Sequence, residues 1–104
     1  MGNIGIAYTY SIKGNLAKII EQAITAYYRA LSAHTLADHP NDWAASHNNL
    51  GDIYPNRLVG DKAENIETAI DHLERALEIF TLTNNPHRWA MLQNNLGNAF
   101  QSRI

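Results

Sequence analysis

Residues 66–80 read IETAIDHLERALEIF, and their apolar side chains recur at steps of three and four. That spacing places them along one stripe of an α-helix, whereas a half-buried strand would alternate apolar and polar residues. The stripe consists of Ile66, Ala69, Ile70, Leu73, Ala76, Leu77 and Phe80. The stretch therefore predicts a helix with one buried face, and an opposite, solvated face that carries Glu64, Glu67, Asp71, Glu74 and Glu78.

The same pattern occurs earlier in the chain, at a distance of about 46 residues. About 22 of some 58 aligned pairs are identical, with no gap. The shift aligns residues 20–24 (IEQAI) with 66–70 (IETAI), Pro40 with Pro86, Trp43-Ala44 with Trp89-Ala90, and residues 48–51 (NNLG) with 94–97 (NNLG). Asn3-Ile4-Gly5 and Tyr8 align with Asn49-Leu50-Gly51 and Tyr54 in the same register, so the chain opens inside an earlier copy. The chain is thus predicted to be a repeat array.

Helix boundaries follow from caps and breaking residues. Asn85-Pro86 supplies a cap and a first-turn proline, while Gly60-Asp61 and Gly14-Asn15 predict breaks, because glycine readily adopts the left-handed conformation that ends a helix. We expect five helices, near residues 2–12, 16–37, 41–57, 64–83 and 87–103, and no strands.

Two glycines fall inside predicted helices, where glycine costs about 1 kcal/mol relative to alanine. Close approach of a neighbouring helix would explain both Gly51 and Gly97, with the small residues Ala69 and Ala76 on the facing stripe. The repeated aromatic positions are predicted to pack in the core, namely Tyr8, Trp43, Tyr54, Trp89 and Phe100.

Composition limits the class of protein. The 104 residues, 45% of them hydrophobic, suit one domain over residues 1–104. A net charge of −2 offers no large basic surface, which argues against nucleic acid as a partner. The sequence has no cysteine, no secretory leader and no apolar run long enough to span a bilayer, so we expect a cytoplasmic protein without a membrane partner.

Chemical signatures are weak. His34, His39, His47, His72 and His87 are dispersed and are expected to be ordinary surface or edge histidines rather than metal ligands. We find no phosphate-cradling glycine loop and no nucleophile beside a recognisable base. The sequence predicts no catalytic residue, no metal, no cofactor and no enzymatic activity.

Residues 95–100 (NLGNAF) resemble the first-helix signature of tetratricopeptide repeats, and Ala69-Ile70 with Leu73 and Ala76-Leu77 resembles the second. Pro40 and Pro86 stand where that family closes one unit. The period of about 46, against the usual 34 of the family, is more similar to the extended repeats of kinesin light chains and of bacterial, especially cyanobacterial, proteins that carry caspase-like CHAT domains. The resemblance implies an all-α fold of antiparallel helix pairs in a short right-handed solenoid. Residues 1–40 would form a partial first unit, 41–86 a full repeat, and 87–104 the first helix of a further repeat.

The resemblance also implies a function. Such solenoids bind proteins or peptides on a concave surface lined by the first helix of each pair. The exposed inner positions here would include Ala45 and Met91, and the candidate peptide-binding residues are Asn48, Asp52, Asn56, Asn94, Asn98 and Gln101. A carboxamide both donates and accepts, so it can pair with the backbone of an extended peptide. The alternative for these side chains is that they are solvated and bind nothing, while Asn49 and Asn95 are expected to brace adjacent repeats.

The resemblance limits the partner as well. Repeats that grip a C-terminal carboxylate use Lys and Arg, whereas the matching positions here hold Gly2, Met91 and Asn95, so no carboxylate clamp is expected. Two other functions stay open: a structural unit that forms homo-oligomers through its uncapped terminal helices, and a regulatory repeat segment of a larger CHAT protease-like protein.

Overall fold

A computed structural model describes the backbone of residues 2–103 and the side chains of residues 11–103. Four α-helices make up most of it: α1 (Gly2–Ala33), α2 (Pro40–Ile53), α3 (Lys62–Leu77) and α4 (Pro86–Ser102). A short 3-10 helix, Tyr54–Asn56, follows α2 directly. Residues 2–103 contain no strand, so the prediction of an all-helical chain is confirmed.

The prediction of five helices is wrong, because α1 runs without interruption through Gly14-Asn15. The expected helices at 2–12 and 16–37 are one helix of 32 residues that ends at Ala33. Among the described residues, only Gly60 has a positive φ, of 82°. A glycine that keeps helical dihedrals lowers helix stability by about 1 kcal/mol, a cost that the good helix formers Leu16, Ala17 and Lys18 offset. The side chain of Tyr8, predicted to be core, lies outside the described residues.

The starts of α3 and α4 agree with the predicted signals, whereas α3 ends at Leu77 and not near residue 83. Gly60 adopts the left-handed conformation, and the side chain of Asp61 then caps α3 by accepting a hydrogen bond from the Glu64 amide at 3.1 Å. The side chain of Asn85 accepts in the same way from the Arg88 amide at 3.1 Å, and Pro86 occupies the first turn of α4. Such caps satisfy amides that a helix leaves unpaired at its start.

The sequence repeat is also a repeat of contacts. In the turn between α1 and α2, the Thr35 hydroxyl accepts from the Asp38 amide at 3.2 Å. Between α3 and α4, the Thr81 hydroxyl accepts from the Asn84 amide at the same distance. Both turns therefore have one geometry, and the repeated structural unit is a helix, this turn and the next helix.

The four helices are antiparallel to their neighbours in the chain, and α3 packs on both α2 and α4. One apolar cluster joins α2, α3 and α4 around Ile66, Leu73 and Leu92, all almost completely buried. A second cluster joins α1 to α2 and α3, through Ile20, Ile24, Leu50, Tyr54 and Ala69. The charged face predicted for α3 is solvated, with Glu64, Glu67, Asp71, Glu74 and Glu78 all exposed.

Gly51 is the point of closest approach between α2 and α3. A Cβ built on this glycine would overlap Cγ and Cδ2 of Leu73 and lie 3.2 Å from the Ala69 carbonyl oxygen. Leu73 has no exposed surface, so it has little room to move aside. The explanation offered for Gly51 from the sequence is confirmed.

The same explanation is wrong for Gly97. A Cβ at Gly97 would meet no described atom within 4 Å, and the residue is exposed. Phe100, also predicted to be core, is 44% exposed, whereas the matching Tyr54 is 8% exposed. The physical reason is that α2 packs between two helices, while α4 contacts α3 through Leu92, Leu96 and Ala99 and presents its next face to solvent.

Candidate protein-binding surface

The candidate surface lies where α2 and α4 run side by side. Each is antiparallel to α3. Tyr54, just after α2, packs in one cluster with Ala69, while Arg103, just after α4, pairs with Glu67 near the start of α3. The two helices are therefore parallel to each other. The Asn95 side-chain amide donates to Asn48 Oδ1 at 3.5 Å, the outer limit of a hydrogen bond, and so links them directly.

The predicted binding residues form two rows, which we call the amide strip. Five of its six side chains are exposed and one, Asn48, is half-buried. The row on α2 and its 3-10 extension is Asn48, Asp52 and Asn56, and the row on α4 is Asn94, Asn98 and Gln101. Steps of three and four residues keep each row on one side of its helix.

Two members of the strip already have partners within the protein. The Asn56 side chain donates to the Asp52 carbonyl oxygen at 3.2 Å, and Asn48 receives the bond from Asn95. Asn95 thus connects adjacent repeats as predicted, while Asn49 is exposed. The side chains most available to a partner are those of Asp52, Asn94, Asn98 and Gln101.

A series of buried and partly buried hydrogen bonds, not predicted from the sequence, joins α2 to α3 and α1 beneath the amide strip. His47 on α2 and His72 on α3 are buried, with their Nδ1 atoms 2.8 Å apart. His72 Nε2 lies 3.0 Å from the Tyr28 hydroxyl, which lies 2.9 Å from the Tyr54 hydroxyl. The expectation of ordinary surface or edge histidines is therefore wrong for these two. The helical spacing of His47, between Ala44 and Gly51, was the available signal.

This chain of hydrogen bonds requires that at least one of the two histidines be neutral, as the acceptor. Of the two Nδ1 atoms, one must donate and the other accept. Burial lowers the pKa of His47 to about 4, with the charge on a protonated His72 as the next cause, and burial lowers the pKa of His72 as well. Burial likewise raises the pKa of Tyr28. The pair is uncharged at neutral pH and specifies how α2 and α3 fit together.

An arginine at the end of each repeat ties neighbouring helices together. Arg57 pairs with Glu21 through two hydrogen bonds of 2.6 and 3.0 Å, and Arg103 pairs with Glu67 through Nη2 at 2.7 Å. These contacts lower the pKa of Glu21 and raise the pKa of both arginines. Both pairs are related by the 46-residue shift, so the signal for them was present in the sequence repeat.

Residues 11–103 hold no group of three or more acidic or histidine side chains arranged for a metal ion. None of the described helices is long and apolar enough to cross a membrane. No family model, curated protein or solved structure matched the chain.

Proposed function

We propose that the chain is a protein-interaction module that holds an extended segment of another protein along the amide strip, as the inner surface of a tetratricopeptide-type solenoid would. The observation that supports this proposal is the pair of adjacent, parallel helices with exposed polar side chains in register. Each helix buries another face against α3, so the strip has a fixed backing.

The spacing of the strip suits an extended backbone. Residues four apart on a helix are separated by about 6 Å along its axis. Peptide groups that point the same way in an extended chain repeat about every 6.6 Å, since each residue spans about 3.3 Å. Asn94 and Asn98 on α4 would therefore face successive same-side peptide groups, and each carboxamide can donate to a carbonyl and accept from an amide.

The charge of the strip restricts the partner. Asp52 is its one charged member, and no lysine or arginine is part of it. A carboxylate partner would find no charge-assisted donor here, whereas a basic side chain could pair with Asp52. The proposed ligand is accordingly an extended segment, neutral or basic near Asp52, recognised largely through its backbone.

The test is a selection of binding peptides from a random library, followed by affinity measurement with variants. Replacing Asn94 and Asn98 with Ala should weaken binding about tenfold or more, because two hydrogen bonds of about 1 kcal/mol each are lost. Gln22→Ala, which removes an exposed carboxamide on α1, is the matched control and should bind normally. Equal affinity of the double variant and the wild type would contradict the proposal.

A further inference from the structure

The amide strip carries one charge, and the fold gives that charge no partner. Asp52 is exposed, and the ion pairs formed among residues 11–103 use the carboxylates of Glu21, Asp71 and Glu67 instead. The matching residue of the next repeat is the neutral Asn98. A carboxylate at this position is therefore not required by the repeat.

The place of Asp52 on its helix is unfavourable for a negative charge. α2 ends at Ile53, so Asp52 lies in the last turn, where the unpaired carbonyl groups form the negative end of the helix dipole. Neither α2 nor α4 has a basic residue in its last turn. Because the two helices are parallel, the negative ends of both dipoles lie at the same end of the amide strip, and Asp52 adds to them.

The two arginines that follow these helices do not neutralise Asp52. Arg57 forms two hydrogen bonds with Glu21 on α1, and Arg103 forms two with Glu67 on α3. Each guanidinium group is thus already balanced by a carboxylate of a neighbouring helix. The negative charge at this end of the strip stays available to a partner.

The polar groups around Asp52 can accept hydrogen bonds. α2 and α4 are linked one turn before Asp52, so Asp52 is level with the exposed carboxamides of Asn98 and Gln101. The Asn56 side chain donates to the Asp52 carbonyl at 3.2 Å, which leaves its oxygen to accept. A carboxylate surrounded by amide oxygens suits a cationic group with several N–H donors.

We propose that Asp52 is the specificity-determining residue of the amide strip, and that it binds one arginine or lysine side chain of the extended segment held there. This inference rests on the proposed peptide-binding function and adds to it a requirement for one basic residue at a fixed place in the ligand. The bound cation supplies the charge that the ends of both helices lack, and hydrogen bonds between ionised groups are stronger than those between neutral ones.

The experiment selects peptides from a random library in parallel with the wild type and with Asp52→Asn. Peptides selected by the wild type should carry arginine or lysine at one position, and those selected by the variant should show no such preference. In calorimetry, Asp52→Asn should bind the best wild-type peptide about fivefold more weakly, the size expected for a partly exposed ion pair. Replacing the basic residue of that peptide with glutamine should weaken binding to the wild type by the same factor and leave binding to the variant nearly unchanged.

Glu74→Gln is the matched control, because it removes the same charge from the exposed face of α3, and it should bind the peptide as the wild type does. Asp52→Asn should melt no lower than the wild type, since it removes a negative charge from the end of a helix. A lower melting temperature would assign Asp52 to the fold and overturn the inference.

The variant in which Asn94 and Asn98 are both replaced with Ala separates this inference from the proposed function. Peptides that need these two amides but bind Asp52→Asn as tightly as the wild type would refute the role of Asp52 and leave the peptide-binding function standing. Peptides that need neither the two amides nor Asp52 would refute both.

Discussion

Replacing Gly51 and Gly97 with Ala, one at a time, should change stability in opposite directions. The two residues occupy the same place in the repeat, in the identical sequence Asn-Asn-Leu-Gly, and both lie inside a helix. The structural difference is their surroundings. A Cβ at position 51 overlaps the buried Leu73, while at position 97 it meets no described atom within 4 Å.

The magnitudes follow from two terms. Alanine favours a helix over glycine by up to about 1 kcal/mol at either position. At position 51 this gain is opposed by overpacking, which costs about 1–3 kcal/mol and falls at the upper end here because Leu73 is completely buried. We expect Gly97→Ala to stabilise the chain by about 0.5–1 kcal/mol and Gly51→Ala to destabilise it by about 2 kcal/mol.

Urea denaturation followed by circular dichroism measures both values, at protein concentrations low enough to avoid association. Thermal denaturation gives a second measure. Each kcal/mol of stability corresponds to about 4–8 °C in melting temperature, so the melting temperatures of the two variants should differ by about 10 °C or more. Equal stabilisation by both substitutions would show that α2 and α3 do not approach closely at Gly51, and the packing described here would be wrong.

Two further predictions concern the polar contacts. The pKa of His47 is lowered to about 4 from its ordinary value of 6.5. As the pH falls below 6.5, the His47 imidazole is therefore protonated in the unfolded state but not in the folded state. The free energy of unfolding is therefore highest above pH 6.5 and should fall by about 2 kcal/mol by pH 5. His47→Gln introduces the residue that the equivalent repeat position, 93, already holds, and it should reduce this pH dependence in denaturation curves. Arg57→Met should cost about 1 kcal/mol in the same assay, a value limited by solvent screening of the pair with Glu21. The more exposed Arg103→Met should cost less, and an equal or greater loss would contradict this account.

The all-helical fold was predictable because the apolar spacing of residues 66–80 and the repeat act together. Local signals sufficed where a cap confirmed them, as at Asp61 and Asn85. They failed at Gly14, since a glycine is equally able to stop a helix or to continue within it. The outcome depends on the flanking residues and on packing.

Burial on α4 was not predictable from the repeat alone. Identical residues such as Gly51 and Gly97 have different environments, because only Gly51 has a helix packed against it. The periodicity of the sequence does not indicate how many neighbouring helices a given helix has. The His47–His72 contact was missed for a related reason. Neither histidine recurs at the equivalent position of the other copy, so the comparison of copies did not indicate a polar contact between the two histidines.

The claim that α2 and α4 together bind an extended peptide is tested most directly by nuclear magnetic resonance. A peptide selected by the chain would be titrated into isotope-labelled protein while the side-chain amide signals are followed. We predict that the signals of Asn94, Asn98 and Gln101 shift, and that the backbone signal of Gly97 stays in place. Shifts confined to α1 and α3, with the side-chain amides of α4 unchanged, would contradict it.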